Sequence, residues 1–183
     1  MKNLILILMA FSLHAFGACH YDETKLLSLD LKSFDQDPDG GWRELAKDAE
    51  CQSAAADLLQ KYRNSNAPED TTLYWHEGQL RASMGEIDRA IPLFEQSKHP
   101  ADTDITGWNY YVEASIAFLK KDKKALNRYR DLLASVKKPE ELNITDARGN
   151  PVAIEWPPNL NVVDSLVSCF NKSYKEAYAG CQQ

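Results

Sequence analysis

Apolar residues along this chain recur mostly at spacings of three and four, the period of a helix with one buried face. Between Trp42 and Arg63 the set is Leu45, Ala49, Ala55, Ala56, Leu58, Leu59 and Tyr62, which predicts a helix over 42–63. The run from Asn64 to Pro68 ends it. Thr71 to Pro100 divides at Gly85-Glu86 and predicts helices over 71–84 and 87–98. Pro92 lies inside the second, a few residues from its start, which limits the cost of the missing N–H. Two more helices are expected over 106–120 and 123–136, joined at Lys121-Asp122. Lys138 to Asn159, with Pro139, Gly149, Pro151, Pro157 and Pro158, reads as a long loop. Its Val152, Ile154 and Trp156 predict that it packs across the helices. Val163, Leu166, Val167 and Phe170 open a last helical pattern over 161–178. A break is expected near Asn171-Lys172, because Ser173 and Glu176 have the spacing of a capping box. The exception is the stretch before Trp42. Leu27, Leu29 and Leu31 alternate as in a strand while Leu26 interrupts them, so 18–41 is expected to be a packed extended arm with one helical turn. The fold class expected is all-α.

The first residues have a different pattern. Lys2 precedes an apolar run from Leu4 to Leu13, and Ala15 and Gly17 are small. This predicts a secretory signal peptide over 1–17, too short for a permanent membrane span. A competing reading acylates Cys19 as a lipoprotein. Phe16 stands three residues before it, where such signals usually carry leucine, and a lipid would leave one cysteine without a partner. The leader has a bacterial character, so a periplasmic or secreted location is expected. The remaining chain divides into the arm, 18–41, and one helical domain, 42–183.

The helical domain repeats itself. Tyr110 follows Tyr74 by 36 residues and Ala114 follows Gly78 by 36; Ala125 follows Ala90 by 35 and Tyr129 follows Phe94 by 35. Ala55 and Leu59 precede Ala90 and Phe94 by 35, as in a third, partial unit. An aromatic with a small residue four later, then an alanine with an aromatic four later, resembles the tetratricopeptide repeat. The best repeats are 71–100 and 107–136. The resemblance implies stacked antiparallel helical hairpins forming an α-α superhelix, closed here by a C-terminal capping helix. The sequence departs from the family pattern at Glu77 and Glu113, where the family has leucine, and at Arg81, where it has tyrosine.

Charge and chemistry narrow the function. Acidic residues number 27 against 21 basic, for a net charge of −6, and loss of Lys2 with the leader makes the chain more acidic still. That disfavours nucleic acid or an anionic membrane as the main partner. The four cysteines, Cys19, Cys51, Cys169 and Cys181, form no CxxC pair and favour two disulfides in an exported chain. The preferred pairing is Cys19–Cys51 with Cys169–Cys181. Bridged Cα atoms lie within roughly 7 Å, whereas twelve residues of continuous helix span about 18 Å. The second bridge therefore requires the chain to turn back near Asn171; one straight helix from Leu160 to Ala179 would send Cys51 to a C-terminal cysteine instead.

No catalytic motif is present: no HExxH, GxSxG or glycine-rich phosphate loop. No cofactor is expected. Asp35, Asp37 and Asp39 followed by Gly40 resemble the start of a calcium loop. Ala46 then stands where the bidentate carboxylate is needed, so no metal is expected and a helix N-terminus is preferred. The family resemblance places Thr72, Trp75, Gln79 and Ala82 of one hairpin, and Trp108, Tyr111, Ser115 and Phe118 of the next, along a concave peptide-binding groove. The functional expectation is therefore an exported interaction module, not an enzyme, whose groove binds a protein or peptide. For such a partner Trp75, Trp108 and Tyr111 must be partly exposed; the competing reading packs them under the N-terminal arm or the Pro-rich loop. The alternative is a small-ligand protein or enzyme with a cleft around His76, Trp75 and Trp108, in which His76 acts as a general base.

Overall fold

A computed structural model describes residues 19–142 and 154–181. The expected leader over 1–17, and Val152 in the loop, lie outside the described residues. Among the described residues every element is helical and none is a strand: α1 (Glu23–Leu27), α2 (Gly41–Ala46), α3 (Gln52–Asn66), α4 (Thr71–Ser83), α5 (Ile87–Gln96), α6 (Trp108–Leu119), α7 (Lys123–Ala134), α8 (Leu160–Ser168) and α9 (Tyr174–Tyr178). A π-helical turn over Lys32–Gln36 and a 3₁₀ turn over Ala49–Cys51 complete them.

Local chemistry sets most boundaries. The Asp70 carboxylate accepts the Thr72 and Leu73 N–H groups and starts α4; Asp122 accepts from Ala125 and starts α7. Helices α4 and α6 end alike. The Glu86 N–H returns to the Arg81 carbonyl and the Asp122 N–H to the Ala117 carbonyl, with Gly85 and Lys121 at positive φ. Each turn brings the next helix back against its predecessor, so α4 packs on α5 and α6 on α7. Gly78 makes the first of these contacts close. A Cβ there would lie 2.6 Å from the Phe94 ring.

Three boundaries differ from the sequence expectation. The helix expected over 42–63 is two helices, because Asp48 caps the 3₁₀ turn by accepting from the Glu50 N–H, and Cys51 at its end is held by Cys19. The helix expected from 106 starts at Trp108, where the Asp104 carboxylate accepts both the Trp108 and Asn109 N–H groups at 2.8 Å. The arm is less extended than expected, since α1 and the π turn fold it onto α3.

Two apolar clusters share α4. Phe34 and Trp42 of the N-terminal part join Leu58, Leu59 and Tyr62 of α3 and Leu73 of α4, with the Phe34 and Tyr62 rings stacked at 3.6 Å. The larger cluster runs from Trp75 and Phe94 through α6 and α7 to Val163, Leu166, Tyr174 and Ala177. Glu77 and Arg81, two of the three departures from the family pattern, lie fully buried on α4, while Glu113 is half-buried on α6. Arg63 of α3 donates to Glu77 at 2.8 Å, and Arg81 reaches Glu77, Asp57 and Glu86. An ionic seam thus joins α3 to α4 at positions where the family pattern carries leucine and tyrosine.

The cysteines pair as Cys19–Cys51 and Cys169–Cys181, with Cα atoms 5.4 and 6.0 Å apart. The chain meets the geometric condition for the second pair: α8 stops at Ser168, and a full Ser173–Glu176 capping box starts α9 back along the body. Trp156 closes the loop before α8 by donating to the Val136 carbonyl at 2.8 Å, and Ile154 is half-buried.

Candidate functional sites

The side chains expected to line the groove do gather. The Trp75 ring lies 5.0 Å from Trp108 and 4.7 Å from Tyr111, and Trp108 lies 5.5 Å from Tyr111. They do not face solvent together. Trp75 is 4% exposed, Tyr111 2% and Ser115 fully buried; Ala82 and Phe118 are buried as well. The occupant is the chain itself. Tyr174 of α9 is buried against Phe94 and Phe118, its hydroxyl facing Gln79 and Ser115 without a well-formed hydrogen bond. Burial first, then the Tyr174 and Tyr178 phenols, push the Tyr111 pKa well up. Trp108 is half-buried, donating to the Ser97 carbonyl at 2.8 Å beneath the His99 ring. Thr72 stays half-buried on the first turn of α4, its amide held by Asp70. Trp75 and Tyr111 therefore lack the exposure that an interaction groove would require, and of the two readings it is the packed one that they follow, though not under the arm or the Pro-rich loop. A short helix with tyrosines four apart, turned back by a disulfide-linked hairpin, packs on α4, and Trp75 is enclosed by Phe94, Trp108 and Tyr111.

The cleft around His76, Trp75 and Trp108 is not assembled. Neighbours on a helix point about 100° apart, and His76 faces the N-terminal cluster while Trp75 faces the larger core. His76 has a carboxylate partner that sequence spacing could not reveal, Asp35, 41 residues away. The Asp35 carboxylate is 1% exposed and accepts from His76 Nδ1 at 2.6 Å, Trp42 Nε1 at 2.8 Å and Gln36. Arg43 donates to the Asp35 backbone carbonyl at 2.8 Å and to His76 Nε2 at 3.3 Å. Burial would raise the Asp35 pKa. The His76 hydrogen bond and charge, then Trp42 and Arg43, outweigh it and hold the carboxyl below its ordinary value. This bonding turns Asp35 inward, whereas Asp37 and Asp39 are exposed. The three carboxylates of the calcium alternative thus do not converge, and among the described residues no three metal-ligating side chains do.

One further feature had no sequence signal. Between α1, the Asp37–Gly41 turn and α2 lies an open pocket of about 560 Å³. Leu26, Leu29 and Leu45 give it apolar walls, and Cys51 of the first disulfide closes one side. Its rim carries Asp22, Asp37, Asp39, Glu44 and Asp48, with Lys25 the sole lysine of the lining. The carboxylates come from two helix caps, the Asp37–Gly41 turn and α2, which the folded arm brings together.

No protein-family model matches the chain, and no curated protein or solved structure matches it.

Proposed function

We propose that this protein is an exported, non-catalytic interaction module built on tetratricopeptide-like hairpins, and that it binds a protein or peptide. The observation that carries the reading is the open pocket between α1 and α2, an apolar concavity of the size range used for ligands. The face of α4 and α6 that carries the groove residues is the other candidate surface, and α9 packs against it through Tyr174. Export is supported by the two cysteine pairs, which fit an oxidising compartment. Among the described residues no helix is long and apolar enough to cross a membrane.

The Asp35–His76 pair is what favours the enzyme alternative, since a carboxylate-bound imidazole is a common general base. Its chemistry points the other way here. Asp35 holds Nδ1 and the Arg43 guanidinium lies 3.3 Å from Nε2, so both ring nitrogens are occupied. The group reads as a polar clamp fixing α2 to α4.

A photoreactive amino acid placed at Leu45, and separately at Tyr178, tests the function in the cell that makes the protein. Crosslinking from position 45 to a distinct polypeptide, lost on denaturation before illumination, is the expected result. Absence of polypeptide adducts from either position would remove the interaction reading.

A further inference from the structure

Building on that reading, we propose that the α1–α2 pocket is a docking site for a basic, apolar stretch of a partner polypeptide, taking a lysine or arginine side chain with its aliphatic neighbours. Two independent properties of the pocket point to this chemistry. The walls are apolar: Leu26, Leu29 and Leu45 are all only partly buried, so each keeps apolar surface open to the cavity. Covering that surface favours a ligand with aliphatic groups. The rim is anionic. Five carboxylates face one lysine, and among the described residues Asp22, Asp37 and Asp48 have no cationic partner. Lys47 is shared by Asp39 and Glu44 and lies half-exposed.

The three rim carboxylates without a cationic partner each have a local task that leaves charge to spare. Asp22 and Asp48 each use one oxygen to cap a helical turn, and Asp37 uses one to hold the Asp39 N–H. Capping explains why an acceptor stands at each place; it does not neutralise the charge. Lysine and arginine match this combination because their methylene stems lie along apolar surface while their heads remain at a wet rim. A purely apolar segment would leave the rim unanswered, and an acidic one would be repelled. The cavity is wider than a single side chain needs, so flanking residues of the same segment can cover the leucines.

The test measures fluorescence anisotropy of a labelled, acetylated and amidated six-residue peptide of alternating leucine and lysine. Counterparts with glutamate or serine in place of lysine serve as comparisons. The proteins are the wild type, the rim double variant Asp39→Lys/Glu44→Lys, and the distant double variant Asp88→Lys/Asp102→Lys, which alters net charge equally. All four positions are exposed, so folding is not at issue, and unfolding curves check this. The lysine peptide is expected to bind, to weaken by about tenfold or more with the rim variant, to keep its affinity with the distant variant, and to weaken as salt is raised. Equal loss in both double variants, or binding of the glutamate peptide as tight as that of the lysine peptide, overturns the proposal. If the serine peptide binds with the same affinity and ignores the rim variant, the choice of a cationic partner fails while the pocket remains a peptide site. If no peptide binds, the pocket itself fails, and the crosslinking experiment separately decides whether the protein is an interaction module.

Discussion

At the scale of single residues, the most consequential group is buried and ionic. Glu77 lies between the Arg63 and Arg81 guanidiniums, both Nε groups of which lack a hydrogen-bond partner. Removing the shared anion would leave two buried cations facing each other. Glu77→Ala should therefore cost about 3–5 kcal/mol of folding free energy, read from the urea midpoint with the slope unchanged. Asp35 makes a pH-dependent prediction. Its folded pKa is held below the ordinary value of 3.8, so ionised Asp35 stabilises the fold fully above the unfolded value. That stability is lost as pH falls from there through the lower folded value. Wild-type melting temperature should thus decline below about pH 4, and Asp35→Asn should be less stable at neutral pH with a flatter acid decline in that window.

At the scale of elements, α9 is the piece whose role the helical pattern left undefined. It is five residues long and rests on α4 and α8, with Tyr174 as its anchor. Truncating that ring should behave as a core substitution: Tyr174→Ala is expected to cost about 3–5 kcal/mol, measured by chemical denaturation. Tyr174→Phe should be near neutral or slightly stabilising, because the hydroxyl is buried without a well-formed hydrogen bond. A loss above about 2 kcal/mol for the phenylalanine variant would mean that Gln79 or Ser115 does bond the phenol. Trp108 belongs with the core by the same reasoning. Its indole N–H is satisfied by Ser97 and its ring touches Trp75 and Tyr111, so Trp108→Ala should lower the denaturation midpoint strongly.

At the scale of the whole molecule, the disulfides tie the two ends of the described chain to its body. Cys19–Cys51 fastens the arm across a separation of 32 residues, and Cys169–Cys181 closes a hairpin of 12. By chain entropy a closed loop of this size contributes on the order of 3 kcal/mol. Cys169→Ser/Cys181→Ser should therefore lower the melting temperature, and a reducing agent should lower that of the wild type further than that of the variant. If the variant and wild type melt together in oxidising buffer, the second bridge is dispensable and the packing of Tyr174 alone holds α9.

Periodicity made the α4–α5 and α6–α7 pairs legible, since a helix that buries one face must place apolar residues every three or four positions. Caps and breaks were legible for a similar reason: Gly85 at the end of α4 and the Ser173–Glu176 box before α9 act within one turn of chain. Turn-back at Asn171 followed from bond geometry once Cys169 and Cys181 were paired. What tertiary structure alone decided involves partners far apart in sequence. Asp35 meets His76 across 41 residues, and Tyr174 fills the space beside Gln79 and Ser115 from the other end of the chain. The same packing that makes an aromatic face suitable for a partner makes it suitable for the protein's own last helix, so sequence spacing located Trp75 and Tyr111 on one face without settling what covers it. The acid-rimmed pocket has the same origin. Its carboxylates serve as caps, turn residues or a helix position in the sequence, and they share one opening because the disulfide and the Phe34–Trp42 packing fold the arm against α2 and α3.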